Sequence, residues 1–196
     1  MNMLIGITGG IGSGKSAVTE YLRARGEAVI CADETAKEVV QPGQPGAAAL
    51  RQHFGDDYFL PDGELNRKKL AAYVFGDPER VTKLNGLLHP IIISTMFEQA
   101  KQNSGRVFLD AALLIQSGMD KKVDYVWLVV ADTQTRISRV IWRDAVTREE
   151  VQRRIQNQLS DKDMRQYADE VIENNGSVEE LHKKIDLILS KSNYTR

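Results

Sequence analysis

The chain has 196 residues, 42% of them hydrophobic and 27% charged, which is enough apolar material for one domain with insertions. Its formal net charge of -1 gives no overall field toward nucleic acid or an anionic membrane, and its one cysteine, Cys31, excludes an intramolecular disulfide. No apolar run approaches the roughly 20 residues that span a bilayer, and no signal-peptide pattern opens the chain, so a cytoplasmic protein is expected.

The first stretch carries the strongest signal. Met3 to Thr8 is a short apolar run of the kind that forms a buried parallel strand. Gly9-Gly10-Ile11-Gly12-Ser13-Gly14-Lys15-Ser16 follows and fits the G-x-x-x-x-G-K-[ST] phosphate loop without a mismatch. The glycines let backbone N–H groups turn inward toward phosphate oxygens. Lys15 adds a point charge for the β- and γ-phosphates, and the Ser16 hydroxyl suits a magnesium ion. Ala17 to Arg25 has helical spacing, with Val18, Tyr21 and Leu22 on one side and Gly26 as its stop. A strand, then the loop, then a helix whose positive end faces the same anion is the arrangement the motif requires.

Glu27 to Cys31 reads as a second strand, followed at once by Ala32-Asp33. Ligands of a parallel sheet sit beyond the carboxyl ends of its strands, so Asp33 is a candidate general base or metal-side carboxylate. Equally, it is a candidate N-cap for a helix over Glu34 to Val40. The next convincing strand, Arg106 to Leu109, comes far later than one crossover helix requires. The intervening chain is helical in pattern. Gln41 to Gly46 is a turn, and a short helix runs from Ala47 to Phe54. Asn66 caps Arg67 to Phe75, and Asp77-Pro78 starts a longer helix that His89-Pro90 interrupts or bends.

Asp110 ends the third strand at a Walker-B-like position, suited to magnesium or its water shell. Val123 to Ala131 is a fourth, central strand, and Asp132 is its natural N-cap for the helix that follows. Arg136, Arg139 and Arg143 then lie at i, i+3 and i+7 on one helical face, with Arg148, Arg153, Arg154 and Arg165 beyond. Such forks suit phosphate oxygens in a closing lid. Most of the seven are expected to meet Asp144, Glu149, Glu150 and Asp161 in a solvated helix pair, leaving one or two for function. Thr147 with Glu150 and Ser177 with Glu180 form capping boxes. Ala168 to Glu173 is a fifth strand, and the tail from Lys191 is expected to fray. Trp127 and Trp142 are expected to pack rather than stack on a ligand. His53, His89 and His182 match no zinc spacing.

Taken as an ordered set, these segments resemble the dephospho-CoA kinase family over nearly the whole length. The residues that carry the likeness are Thr8 to Ser16, Ala32-Asp33, Val40-Gln41-Pro42-Gly43, Leu65-Asn66-Arg67, Leu84-Asn85 with His89-Pro90, and Leu109-Asp110 with Leu113-Leu114. Arg139, Arg143-Asp144, Arg154-Ile155 with Gln158, Ala168-Asp169, Val171-Ile172 and Asn174 complete it. The resemblance implies an α/β phosphate-loop fold, a parallel β-sheet flanked by helices. Residues 1–34 and 105–196 would form the nucleotide-binding core with a lid at about 140–166, and 35–104 a helical acceptor-binding module. It implies transfer of phosphate from ATP, with Mg2+, to the ribose 3′-hydroxyl of dephospho-CoA; the net charge disfavours a nucleic-acid or membrane partner, and a monomer or weak homo-oligomer is expected.

The family pattern makes Asp33, Lys15 and Arg143 catalytic, and assigns ATP to Gly9, Gly10, Ile11, Gly12, Ser13, Gly14, Lys15, Ser16, Arg139, Arg143 and Asn174. Acceptor contacts fall to Thr8, Asp33, Arg67 and His89, and the metal to Ser16 and Asp110. Two departures stand out. Ala111 to Gln116 lacks the proline, phenylalanine and glutamate usual there, and Ala145 stands where glycine usually follows the Arg-Asp pair. Another small-molecule kinase, for a nucleoside or nucleotide, is the nearest alternative. A nucleotide-dependent switch is a further one, though the chain has no N-K-x-D or D-x-x-G guanine motif.

Overall fold

The structure is a computed structural model that describes residues 2–191; the tail expected to fray lies, beyond Lys191, outside the described residues. Among the described residues five strands form one sheet in the order β2-β3-β1-β4-β5: β1 (Met3–Thr8), β2 (Ala28–Cys31), β3 (Arg106–Asp110), β4 (Tyr125–Val130) and β5 (Glu170–Glu173). The pairs β1 with β3, β1 with β4 and β4 with β5 are parallel. The chain divides into two compact units. One holds residues up to Val29 and from Asn103 onward, the other Ile30–Gln102.

In the first unit, side chains of β4 alternate between faces, as a pleated strand requires. Trp127 and Val129 join Ile5, Ile7, Phe108 and Ile172 on one face, beneath α1 (Lys15–Ala24) and α9 (Val178–Leu189). Leu128 and Val130 join Met164 on the other. A strand buried on both faces explains why Val126 to Val130 is an unbroken apolar run. The capping box of Ser177 with Glu180 opens α9, and that of Thr147 with Glu150 opens α7 (Arg148–Gln156).

The second unit holds α2 (Ala32–Glu38), α3 (Pro45–Phe54), α4 (Arg67–Val74) and α5 (Pro78–Lys101) around Val39, Val40, Leu50, Leu70 and Val74. Asn66 caps α4 by accepting from the Lys69 amide, and Asp77 caps α5. Three expectations are corrected here and in the first unit. First, α2 begins at Ala32 with Cys31 as its N-cap, so Asp33 lies inside the first turn. Ala32 favours helix and the two acids Asp33 and Glu34 favour its positive end. Second, of interruption or bending at His89-Pro90, interruption is excluded, since α5 runs continuously through Pro90. The carbonyl that the proline ring crowds belongs to Gly86, four residues back, where the backbone yields most readily. Third, Trp142 is 89% exposed. The apolar stripe of α6 (Thr133–Asp144) is Ile137, Val140 and Ile141, and position 142 falls outside it.

Candidate active site

The loop between β1 and α1 is shaped by its outward-facing carbonyls. Gly12 and Gly14 sit at φ 77° and 91°, where a side chain is strained. A Cβ on Gly14 would also fall on the Asn174 amide, and one on Gly12 would lie 2.6 Å from the Arg136 carbonyl. The Ser13 carbonyl accepts from Asn174 Nδ2 at 2.9 Å and from Arg139 Nη1 at 3.3 Å. The Ile11 carbonyl accepts from Arg136 Nε at 2.9 Å. Every described peptide is trans, so a carbonyl held outward turns the next N–H inward. The amides of Gly12 and Gly14 are thereby aimed into the loop. Those of Lys15 and Ser16 add the unspent donors of the first turn of α1.

At the floor of the loop Lys15 pairs with Asp110, whose carboxylate is only 4% exposed. The pairing follows from register, since Ile7 lies opposite Asp110 across the β1–β3 ladder. The Ser13 hydroxyl is buried with no protein partner among the described residues. Thr8, one of the expected acceptor residues, is fully buried, and its hydroxyl donates to the Ala112 carbonyl at 3.3 Å. Its contact ties the end of β1 to the segment after β3.

The arginine face divides. Arg139 reaches the loop as described. Arg143, expected over the phosphates, grips Asp144 with Nε and Nη2 at 2.7 and 3.1 Å, and Arg154 reaches the same carboxylate at 3.2 Å. The Arg143 fork holds the Asp144 carboxyl below the usual carboxylate range. Asp132 precedes α6 without a side-chain cap bond; its own N–H donates to Asn175 Oδ1 at 2.8 Å. Ala145, the residue standing in place of the usual glycine, closes α6 in the left-handed region at φ 53°. That conformation costs an L-residue about 1–2 kcal/mol. Ala145→Gly is therefore expected to raise stability by about 0.5–1 kcal/mol, readable as a higher urea midpoint with unchanged slope.

Two residues that hold the phosphate loop, both named in the sequence, had been given no role at the site. Arg136 is buried, and Gln158 accepts from the Ile11 amide at 2.8 Å. The one hint was the i+4 spacing of Arg136 to Val140, which puts it on the inward side of α6.

In the second unit Asp33 is exposed in the first turn of α2. Arg67 opens α4 and donates to the Lys37 carbonyl at 3.2 Å, and His89 lies partly buried within α5.

A parallel sheet whose central strand runs into an amide-lined, lysine-bearing loop defines a phosphate-loop nucleotide-binding protein. The dephospho-CoA kinase family model matches residues 3–180. A dephospho-CoA kinase of Corynebacterium glutamicum is 40% identical over 197 residues, covering 96% of this chain and 98% of the relative. The chain belongs to the dephospho-CoA kinase family. Among solved structures, TT1252 from Thermus thermophilus superposes with a TM-score of 0.79 at 34% identity, over 96% of this chain and 97% of that one. A dephospho-CoA kinase from Campylobacter jejuni shares the fold with a TM-score of 0.68 at 21% identity, over 96% of each chain.

Proposed function

We infer that the protein transfers the γ-phosphoryl group of ATP to the ribose 3′-hydroxyl of dephospho-CoA, giving coenzyme A and ADP in the last step of coenzyme A synthesis. The observation that carries this reading is the family match across residues 3–180 of a chain whose loop amides and Lys15 are arranged for a polyphosphate. In it, the inward amides of Gly12, Gly14, Lys15 and Ser16 hold the β- and γ-phosphates. Lys15 exchanges Asp110 for phosphate oxygens. Asp33 orients the ribose hydroxyl and accepts its proton, with Arg67 and His89 on the acceptor side. Arg143 leaves Asp144 to meet the phosphates from a lid at about residues 140–166. Most of the acceleration then comes from positioning and charge.

Magnesium fits this donor set. The described residues contain no cluster of three His, Cys, Asp or Glu groups able to cage a metal. Ser16 and Asp110 supply one hydroxyl and one carboxylate, and magnesium ordinarily takes its remaining ligands from phosphate and water. When bound with the nucleotide, the ion supplies neutralising charge at the β- and γ-phosphates. Residues 1–34 and 105–196 are read as the nucleotide core and 35–104 as the acceptor module. No described helix is long and apolar enough to cross a membrane. The proposed enzyme is cytoplasmic and monomeric or weakly associating, and its net charge of -1 gives no overall field toward nucleic acid.

The test is acceptor-dependent ADP release from the purified protein with magnesium. Dephospho-CoA is expected to drive release and yield a 3′-phosphorylated product by mass spectrometry, with nucleosides and nucleoside monophosphates near background. Release driven by a nucleoside instead would transfer the reading to a different acceptor.

A further inference from the structure

Arg136 is 5% exposed. A buried guanidinium is costly unless its donors are met, and here they are met by two separate parts of the unit. Nε donates to the Ile11 carbonyl at 2.9 Å, and Nη1 donates to Asp161 Oδ1, at the start of α8 (Asp161–Met164), at 3.1 Å. Nη2 lies against Gly10, where a Cβ would collide with it. The turn between α7 and α8 supplies a second hold, since Gln158 Oε1 accepts the Ile11 N–H at 2.8 Å. Ile11 is thus gripped at both of its backbone groups, and its side chain packs with Ile137, Val140 and Val151 from α6 and α7. Both backbone groups of this phosphate-loop residue are held by the segment that follows β4.

This grip decides which way one amide points. The Ile11–Gly12 peptide is planar, so the Arg136 bond to the Ile11 carbonyl turns the Gly12 N–H to the opposite side, into the loop. Gly12 itself sits against the Arg136 backbone. Releasing the guanidinium would free that peptide to rotate, because glycine at Gly12 imposes no preference of its own.

We propose that Arg136 is a positioning residue that aims the Gly12 amide at the terminal phosphate, and that through Asp161 and Gln158 it makes this aim depend on the docking of the α7–α8 segment. The coupling is reciprocal: a phosphate that prefers the aimed amide also favours the docked segment. The proposal deepens the kinase reading and rests on it for the identity of the phosphate donor.

Hydrogen exchange across residues 148–164, with and without saturating ATP and magnesium, tests it on the full chain without any acceptor. ATP is expected to slow exchange of these amides about tenfold in the unmodified protein. In Arg136→Gln the protection falls below about twofold although ATP still saturates, and kcat drops about 10- to 100-fold with the KM for ATP changed less than about threefold. Asp161→Asn leaves the bond to Ile11 in place and removes only the charge on α8. It is expected to lose the ATP-dependent protection with a smaller fall in kcat, and it carries the test should Arg136→Gln fold poorly. Full protection in both variants, no protection in the unmodified protein, or a raised KM with unchanged kcat would each overturn the proposal. A protein that shows this protection pattern yet ignores dephospho-CoA would retire the acceptor assignment alone.

Discussion

Lys15→Met is expected to lower phosphoryl transfer by about two to three orders of magnitude and stability by about 2–4 kcal/mol. The two effects have different origins. Methionine keeps most of the stem that packs at the loop but removes the ammonium, so the charge that would neutralise the moving phosphoryl group is gone. The same change strands Asp110, a carboxylate that is almost fully buried and whose partner in the fold is Lys15. Asp110→Asn in the Lys15→Met background separates them. The neutral amide no longer leaves a buried charge unpaired, so much of the lost stability returns, while the rate does not. Steady-state kinetics and urea unfolding of the unmodified protein, both single variants and the double variant complete the cycle. A Lys15→Met protein as stable as the unmodified one would mean that the pair contributes no more than an exposed ion pair does. Unchanged kcat would remove Lys15 from the phosphates.

The same contrast explains what the chain discloses unaided. The loop is legible because its chemistry is contiguous: glycines that need positive φ, a lysine and a hydroxyl within eight positions, flanked by a strand and a helix. Asp110 is legible more faintly, because a strand end is a place and not a contact, and its partner is 95 positions away. The helix caps at Asn66, Thr147 and Ser177 are read correctly because both partners lie within three or four residues. Asp132 has the right residue type but its helix end is met differently, through Asn175 on a distant turn. Arg136 and Arg143 look alike on a helical wheel. What separates them is whether α7 and α8 close over the face, and that is decided by packing of Val151 and Met164 far along the chain. Arginine is usually at the surface, so the spacing of Arg136 to the buried Val140 is a faint signal beside the shared face of Arg136, Arg139 and Arg143.

Asp33→Asn should lower turnover of dephospho-CoA by about 10²- to 10⁴-fold, with ATP affinity retained. Asparagine keeps the size of the side chain and one carbonyl acceptor, so a hydroxyl can still be oriented; what it cannot do is take the proton. Three roles remain distinguishable at this position. As a base, Asp33 takes the proton of the attacking hydroxyl, so the loss in Asp33→Asn is in turnover and no magnesium concentration restores it. As a metal-side ligand, its loss would be partly reversed by raising magnesium, which does nothing for a missing base. As an acid in the first turn of α2, it would stabilise the helix end by about 0.3–1 kcal/mol and leave turnover untouched. A deficit of two or more orders of magnitude that is insensitive to magnesium, with ATP affinity retained, assigns the proton to Asp33. Near-normal turnover would leave it a helix-end residue and remove it from the base role.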